Sequence, residues 1–419
     1  MTIATDSPGN QSFASPAMKP RLLTRRLVQV LLVSFGAMTS FYLLLSTVPL
    51  YADAIGAGAT GAGLATGVLM LSTVGVELIT PALVARLGKR RAVGAGLLLL
   101  GAPALALPGS TSLAAILVAC LVRGAGLAIV VVVVGAWIAE IAPRDRRGEA
   151  LGLAGVVATV PAVVMLPLGV WLAERVGYPP LFIGGALTAL AGLLAMVGLA
   201  DVPVESAQQH KQPFRMRDGL RSPALLRPAI VFSATAMAAG IVATFLPLAL
   251  GEASGELAAI ALLTQAATAT ASRWWAGRYG DRHGARKLLM PSVLVAAIGM
   301  SAVVVISSPV AVLAGMALFG AGFGMAQNSS LTVMFERVPS SGYGTVSAVW
   351  NLAYDAGLGI GATGFGMVVM GTGYSAAFAL TAGFMLVVLF AALPRRASHD
   401  HSGTAWDVDR IGRRGSGLE

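Results

Sequence analysis

Apolar runs of about 20 residues recur along almost the whole chain, broken only by short charged or Pro/Gly-rich stretches. They lie at roughly 27–51, 59–84, 92–108, 112–141, 149–171 and 181–200, then at 228–250, 257–276, 288–308, 310–335, 345–370 and 376–393. Inside a hydrocarbon layer every backbone N–H and C=O must find its partner within the chain, so runs of this length can only be helices. Hydrophobic residues make up 56% of the 419 and charged residues 11%, far from the roughly 25% charged of a soluble domain. The chain is therefore predicted to be an all-α integral membrane protein with twelve transmembrane helices, its bulk in contact with the lipid bilayer.

The formal net charge of +10 is the footprint of a nucleic-acid binder only if the basic residues form a patch. Here they alternate along the chain instead. Of the 29 Lys and Arg, all but Arg123 and Arg175 fall before span 1, after even-numbered spans or beyond span 12, with Arg273 just inside the end of span 8. By the positive-inside rule both termini and these loops are expected in the cytoplasm of a multi-pass protein of the cell membrane, with no nucleic-acid partner. The first run is too long for a cleavable signal peptide and is followed at once by another span. Residues 1–18 and 395–419 read as disordered cytoplasmic tails, and residues 201–227 as a cytoplasmic connecting loop.

Other chemistries lack their residues. One cysteine, Cys120, and four histidines confined to loops and tail leave no metal site and no buried acid–base histidine, so no enzyme is expected. Two GxGxxG strings, 56–61 and 359–364, sit in helical runs rather than after a strand, and no phosphate-binding loop occurs. Neither a cofactor nor ATP is expected.

The chain repeats itself at a spacing of 196 residues. Arg86, Gly88, Arg90 and Arg91 are matched by Arg282, Gly284, Arg286 and Lys287, Glu140 by Glu336, Pro143 by Pro339 and Gly148 by Gly344, and Arg123-Gly-Ala-Gly aligns with Phe319-Gly-Ala-Gly. This predicts two pseudo-symmetric six-helix halves, 19–200 and 228–394. Gly277 to Lys287, GRYGDRHGARK, resembles the signature between helices 8 and 9 of the major facilitator superfamily of secondary transporters. The first-half copy departs from that signature, with Pro81 and Ala85 where the family has Gly and Asp. The resemblance implies alternating access between the halves and a cytoplasmic gate built from Arg86, Arg90, Arg91, Glu140, Asp281, Arg282, Arg286 and Glu336, with Arg90 or Arg91 held by Glu140 and Arg286 by Glu336. Topology alone also explains the basic residues, though not the repeated Glu, Pro and Gly.

Polar groups inside the spans mark the pathway, because ionisable side chains at depth must face a bundle interior or a water-filled cavity. Spans 3, 6, 9 and 12 carry nothing more polar than Ser or Thr, so every third helix is expected at the periphery. Glu77 lies nine residues before Arg86 and Asp355 eleven after Gly344, depths of roughly 13 and 17 Å at 1.5 Å per residue. If spans 2 and 11 meet, as the resemblance implies, the two carboxylates can pair and carry a proton; equally, each can be held separately by its own surroundings. Arg123, roughly 25 Å from the cytoplasmic end, resembles the helix-4 arginine of proton-coupled family members, or else ties helix 4 to backbone carbonyls. Arg273 occupies the repeat position of Glu77. With Gln265, Gln327, Asn328 and Asn351 it is a candidate lining of a substrate cavity, to which Trp350 and Tyr354 add an aromatic stripe that packing also explains.

The expected function is secondary active transport of a small organic molecule, most simply proton-coupled efflux, with Glu77, Asp355 and Arg123 as coupling residues. Similarity to the drug-efflux branch rests on length and the helix-4 arginine, while of the helix-5 antiporter motif only Pro167 and Gly169 are present. A proton-linked importer and a non-transporting membrane sensor are the alternatives.

Overall fold

A computed structural model describes residues 23–143, 146–199, 222–251, 254–338 and 342–392. Both tails and most of the connecting loop lie outside the described residues. Twelve α-helices are present among those described: α1 Arg25–Ala52, α2 Gly58–Leu87, α3 Lys89–Gly101, α4 Leu113–Ile141, α5 Arg147–Val176 and α6 Tyr178–Ala195 in the first half. The second half has α7 Pro223–Leu250, α8 Gly255–His283, α9 Arg286–Val303, α10 Pro309–Phe335, α11 Tyr343–Thr372 and α12 Tyr374–Ala392. By length and apolar composition nine helical stretches among the described residues suffice to cross a membrane, α1 and α2 counting as one. The stretch that fails on composition is α8, whose interior carries Thr264, Gln265, Thr268, Thr270, Ser272 and Arg273. Such a stripe is costly against lipid, and on the same helix it is Ile260, Leu263 and Trp274 that are exposed.

The outer surface does. Leu71, Leu194, Val310 and Phe390 are each more than 65% exposed, a distribution that water would punish and hydrocarbon does not. The protein is a multi-pass membrane protein.

Two sequence features build the pseudo-symmetry. Sharp corners between consecutive helices need backbone in the left-handed region, which glycine enters without a Cβ penalty. Gly88 (φ 77°) and Gly284 (φ 89°) turn α2 into α3 and α8 into α9, and Gly177 (φ 74°) and Gly373 (φ 77°) turn α5 into α6 and α11 into α12. Both pairs are 196 residues apart.

The Gly-Ala-Gly copies act inside the bundles. Residues i and i+2 point to different sides of a helix, so one motif can seat two neighbours. Gly124 of α4 lies against the backbone of Leu69 on α2, and Gly126 against Gly96 and Leu100 on α3. Gly320 of α10 lies against Gln265 on α8, and Gly322 against Ser292 and Ala296 on α9. Each half is thus a wedge of helices locked on small residues.

The halves touch chiefly through α2 with α11 and α5 with α8, with lesser contacts of α1 and α2 with α7. Helices α3, α6, α9 and α12 pack mainly within their own half, the peripheral placement that their lack of polar residues predicts.

Candidate functional site

Between the halves lies a cavity of about 110 Å³, lined from α1 by Tyr42 and Leu45, from α5 by Thr159 and Leu166, from α8 by Gln265 and Arg273, from α10 by Gln327 and from α11 by Tyr354. Thr159, Val163, Thr270 and Arg273 also line a cleft of about 710 Å³ between α5 and α8 that reaches Gly152, Gly277 and Asn328 toward the end of the basic loops. The cavity and that cleft therefore share a wall.

Toward the opposite end the halves are stitched together. Ser46 Oγ donates to the Ala243 carbonyl at 2.5 Å, Thr66 and Thr244 share a hydroxyl hydrogen bond at 2.9 Å, and Thr60 donates to the Gly366 carbonyl at 3.3 Å. Arg175 of α5 pairs with Glu256 of α8 at 2.6 Å and stacks on Trp171 at 3.9 Å. Here α2 and α11 approach so closely that a Cβ on Gly63 would meet the Ala362 carbonyl oxygen at 2.5 Å. The hydrogen bonds and the ion pair between the halves are thus gathered at the end opposite the basic loops.

Glu77 of α2 and Asp355 of α11 meet across the halves, their carboxyl groups close enough to share a hydrogen bond. A bond between two carboxyls needs one proton between them. Glu77 Oε1 is buried without a hydrogen-bond partner, so the pair is held by little besides itself. Asp355 also sits at the edge of an apolar groove of about 480 Å³ between α2 and α11.

Nearby, the hydroxyls of Tyr42 and Tyr354 are neighbours, and the Arg273 guanidinium lies beside both. Tyr42 is the residue that sequence reasoning misses. A single tyrosine in an apolar run has no periodic signal; only the need of a buried hydroxyl for a partner points to it.

Other expected residues are placed differently. Trp350 stacks on Phe232 of α7 (4.5 Å between centroids, planes 9° apart) and donates from Nε1 to Ser330 Oγ at 2.9 Å. It braces the second half, and of the aromatic stripe only Tyr354 reaches the cavity. Asn328 lines the cleft, while Asn351, one turn before Asp355, lines neither cavity nor cleft. Arg123 is 1% exposed, donates from Nη2 to the Ser40 carbonyl at 3.4 Å and has Cys120 as its electrostatic neighbour.

At the basic end Glu140 pairs with Lys89, one residue before the expected Arg90. Lys89 opens α3, which packs on α4 within the same half, so this pair does not bridge the two halves. Arg86, Arg91, Asp281, Arg282, Arg286 and Glu336 make no hydrogen bond or ion pair with a described residue.

The profile of the Major Facilitator Superfamily matches residues 30–362 and again 228–409. A staphylopine export protein of Staphylococcus aureus (strain Mu50 / ATCC 700699) is 25% identical over 239 residues, 55% of this chain; the chain spans 60% of that relative's length. Among solved structures, a mutant of the nucleoside transporter NupG superposes with a TM-score of 0.72 at 15% identity, covering 88% of this chain and 98% of its own. A D-xylose-proton symporter follows at 0.71 and 16%, covering 88% and 96%. A peptide transporter, POT, reaches 0.69 and 18%, covering 88% and 93%. At these identities the likeness is one of fold.

Proposed function

The chain belongs to the Major Facilitator Superfamily of secondary transporters, and from that premise we propose that it exports a small organic molecule from the cytoplasm in exchange for protons. The observation that carries the reading is the Glu77–Asp355 pair, placed between the halves beside the cavity. Because one carboxyl rides on each half, any rearrangement that opens the far end alters their separation. Together they share a proton; apart, each meets solvent as an independent acid. A group whose proton affinity differs between two conformations couples proton movement to the conformational change.

The distribution of Lys and Arg supports a cytoplasmic basic end, and the α5–α8 cleft that reaches toward it is then the entry for cytoplasmic substrate. The export named for the staphylococcal relative supports this direction. Arg273, Gln265, Gln327 and Tyr354, with Tyr42, form the polar side of the substrate cavity.

The test uses inverted membrane vesicles acidified inside, with a fluorescent pH probe and a panel of cationic, neutral and anionic compounds. A transported compound is expected to dissipate the gradient with the native chain. Glu77→Gln and Asp355→Asn should each reduce that flux by about tenfold or more, the scale of about 1.4 kcal/mol or more of lost coupling. Equal dissipation by native and mutant vesicles overturns the carboxylate assignment, and compound uptake that dissipates the gradient only in right-side-out vesicles overturns export.

A further inference from the structure

Arg273 is a cation without a counter-charge among the described residues. Its guanidinium makes no hydrogen bond or ion pair with any of them, although it lines both the central cavity and the neighbouring cleft. The carboxylates of this region are engaged elsewhere: Glu77 and Asp355 turn to each other, and neither lines the central cavity. What does surround Arg273 is neutral and able to hydrogen-bond, namely the phenols of Tyr42 and Tyr354 and the amides of Gln265 and Gln327.

The charge is also confined to one half. The 196-residue repeat places Glu77 where the second half has Arg273, so the symmetry of the fold does not demand a cation there. An unpaired guanidinium away from bulk water carries a desolvation cost that an anion can offset. Its planar fork fits an oxyanion through two parallel hydrogen bonds.

We propose that the cavity recognises its substrate through a carboxylate, taken by the Arg273 fork, with the hydroxyls of Tyr42 and Tyr354 and the amides of Gln265 and Gln327 completing the site. This rests on the reading of the cavity as the substrate site and names the class of substrate. One cation matches a singly charged carboxylate better than a doubly charged phosphate. A purely cationic compound meets Arg273 head-on.

Phenylglyoxal, which modifies accessible guanidinium groups, tests this on the purified full-length chain in lipid nanodiscs, read residue by residue by mass spectrometry. Arg273 is expected to react and the buried Arg123 to remain unmodified. Millimolar benzoate should slow modification of Arg273 several-fold, phenyl phosphate less, and benzamide and benzylamine not at all. An unreactive Arg273, equal protection by benzoate and benzamide, or no protection by benzoate overturns the proposal; stronger protection by phenyl phosphate replaces carboxylate with phosphate as the recognised group.

The labelling needs neither a gradient nor turnover. Benzoate protection that persists in Glu77→Gln and Asp355→Asn while their vesicle flux equals that of the native chain strikes the proton assignment and spares the anion site. Substrate-driven flux that survives in Arg273→Gln strikes the anion site alone.

Discussion

Arg123 and Phe319 hold the same place in the two copies of the repeat, and both are fully buried, at 1% and 0% exposure. In one half the position is plain hydrocarbon core. In the other a guanidinium makes one long hydrogen bond to a backbone carbonyl while its Nε and Nη1 have no hydrogen-bond partner. Replacing a poorly satisfied buried charge with an apolar side chain of similar volume is commonly neutral or stabilising by about 1–4 kcal/mol. Arg123→Met is therefore expected to unfold at or above the native temperature, and Arg123→Ala below it, by about 2–4 kcal/mol of cavity cost; thermal unfolding in detergent micelles decides. An Arg123→Met chain that is less stable than native would show that the guanidinium is held by more than the Ser40 carbonyl.

At this scale legibility depended on the kind of residue. Glu77 and Asp355 stood out because a carboxylate in an apolar run is costly, and counting rise per residue gave them matching depths. Trp350 and Tyr354 could not be separated by spacing, since stacking and cavity lining use the same helical period. Which of them faces the cavity depends on Phe232, a residue more than 100 positions away on α7.

Among the helices, the small residues set the geometry. Gly126 and Gly322 seat α4 and α10 against the backbones of α3 and α9, so Gly126→Val or Gly322→Val is expected to cost about 1–3 kcal/mol of overpacking and to lower the yield of folded protein. A methyl group added at Gly135 or Gly155 would meet no atom within 4 Å, and alanine there should leave yield unchanged. At the corners, Gly88→Ala and Gly284→Ala place a Cβ in left-handed backbone at about 1–2 kcal/mol each. Yield and melting temperature measured across the series check the ordering.

Elements were the most legible level. Twelve apolar runs correspond to twelve helices, and the 196-residue offset reappears as matched turns and matched helix contacts. Hydropathy alone was least able to find α8, whose polar interior borders the cavity, and it could not tell which of Lys89, Arg90 and Arg91 meets Glu140. That choice depends on the angle at which α3 leaves the Gly88 corner.

For the molecule as a whole, the bonds at the far end hold the two halves together there. Arg175 is 39% exposed and Glu256 70%, so their pair contributes little, less than about 1 kcal/mol. The hydroxyl bonds of Ser46 and Thr66 share the load. Arg175→Gln should therefore shift the balance between faces by no more than about fivefold. Arg175→Glu, which sets like charges together beside Glu174 and Glu256, should shift it further, and the exchange Arg175→Glu with Glu256→Arg should restore it. Labelling of Leu45→Cys, in the central cavity, by a membrane-impermeant maleimide added at the far face reads the shift, since the native Cys120 is 1% exposed.

The matched glycine corners and Gly-Ala-Gly wedges also bear on how little free energy the machine needs. Two halves built on one plan can exchange which end they press together at nearly equal energy, as a balanced beam tips either way. Against such near-degeneracy a bias of about 1–3 kcal/mol, within reach of one proton or one bound anion, moves most molecules from one side to the other. The direction of work then comes from where the copies have diverged: an acid in the first half where the second carries a guanidinium.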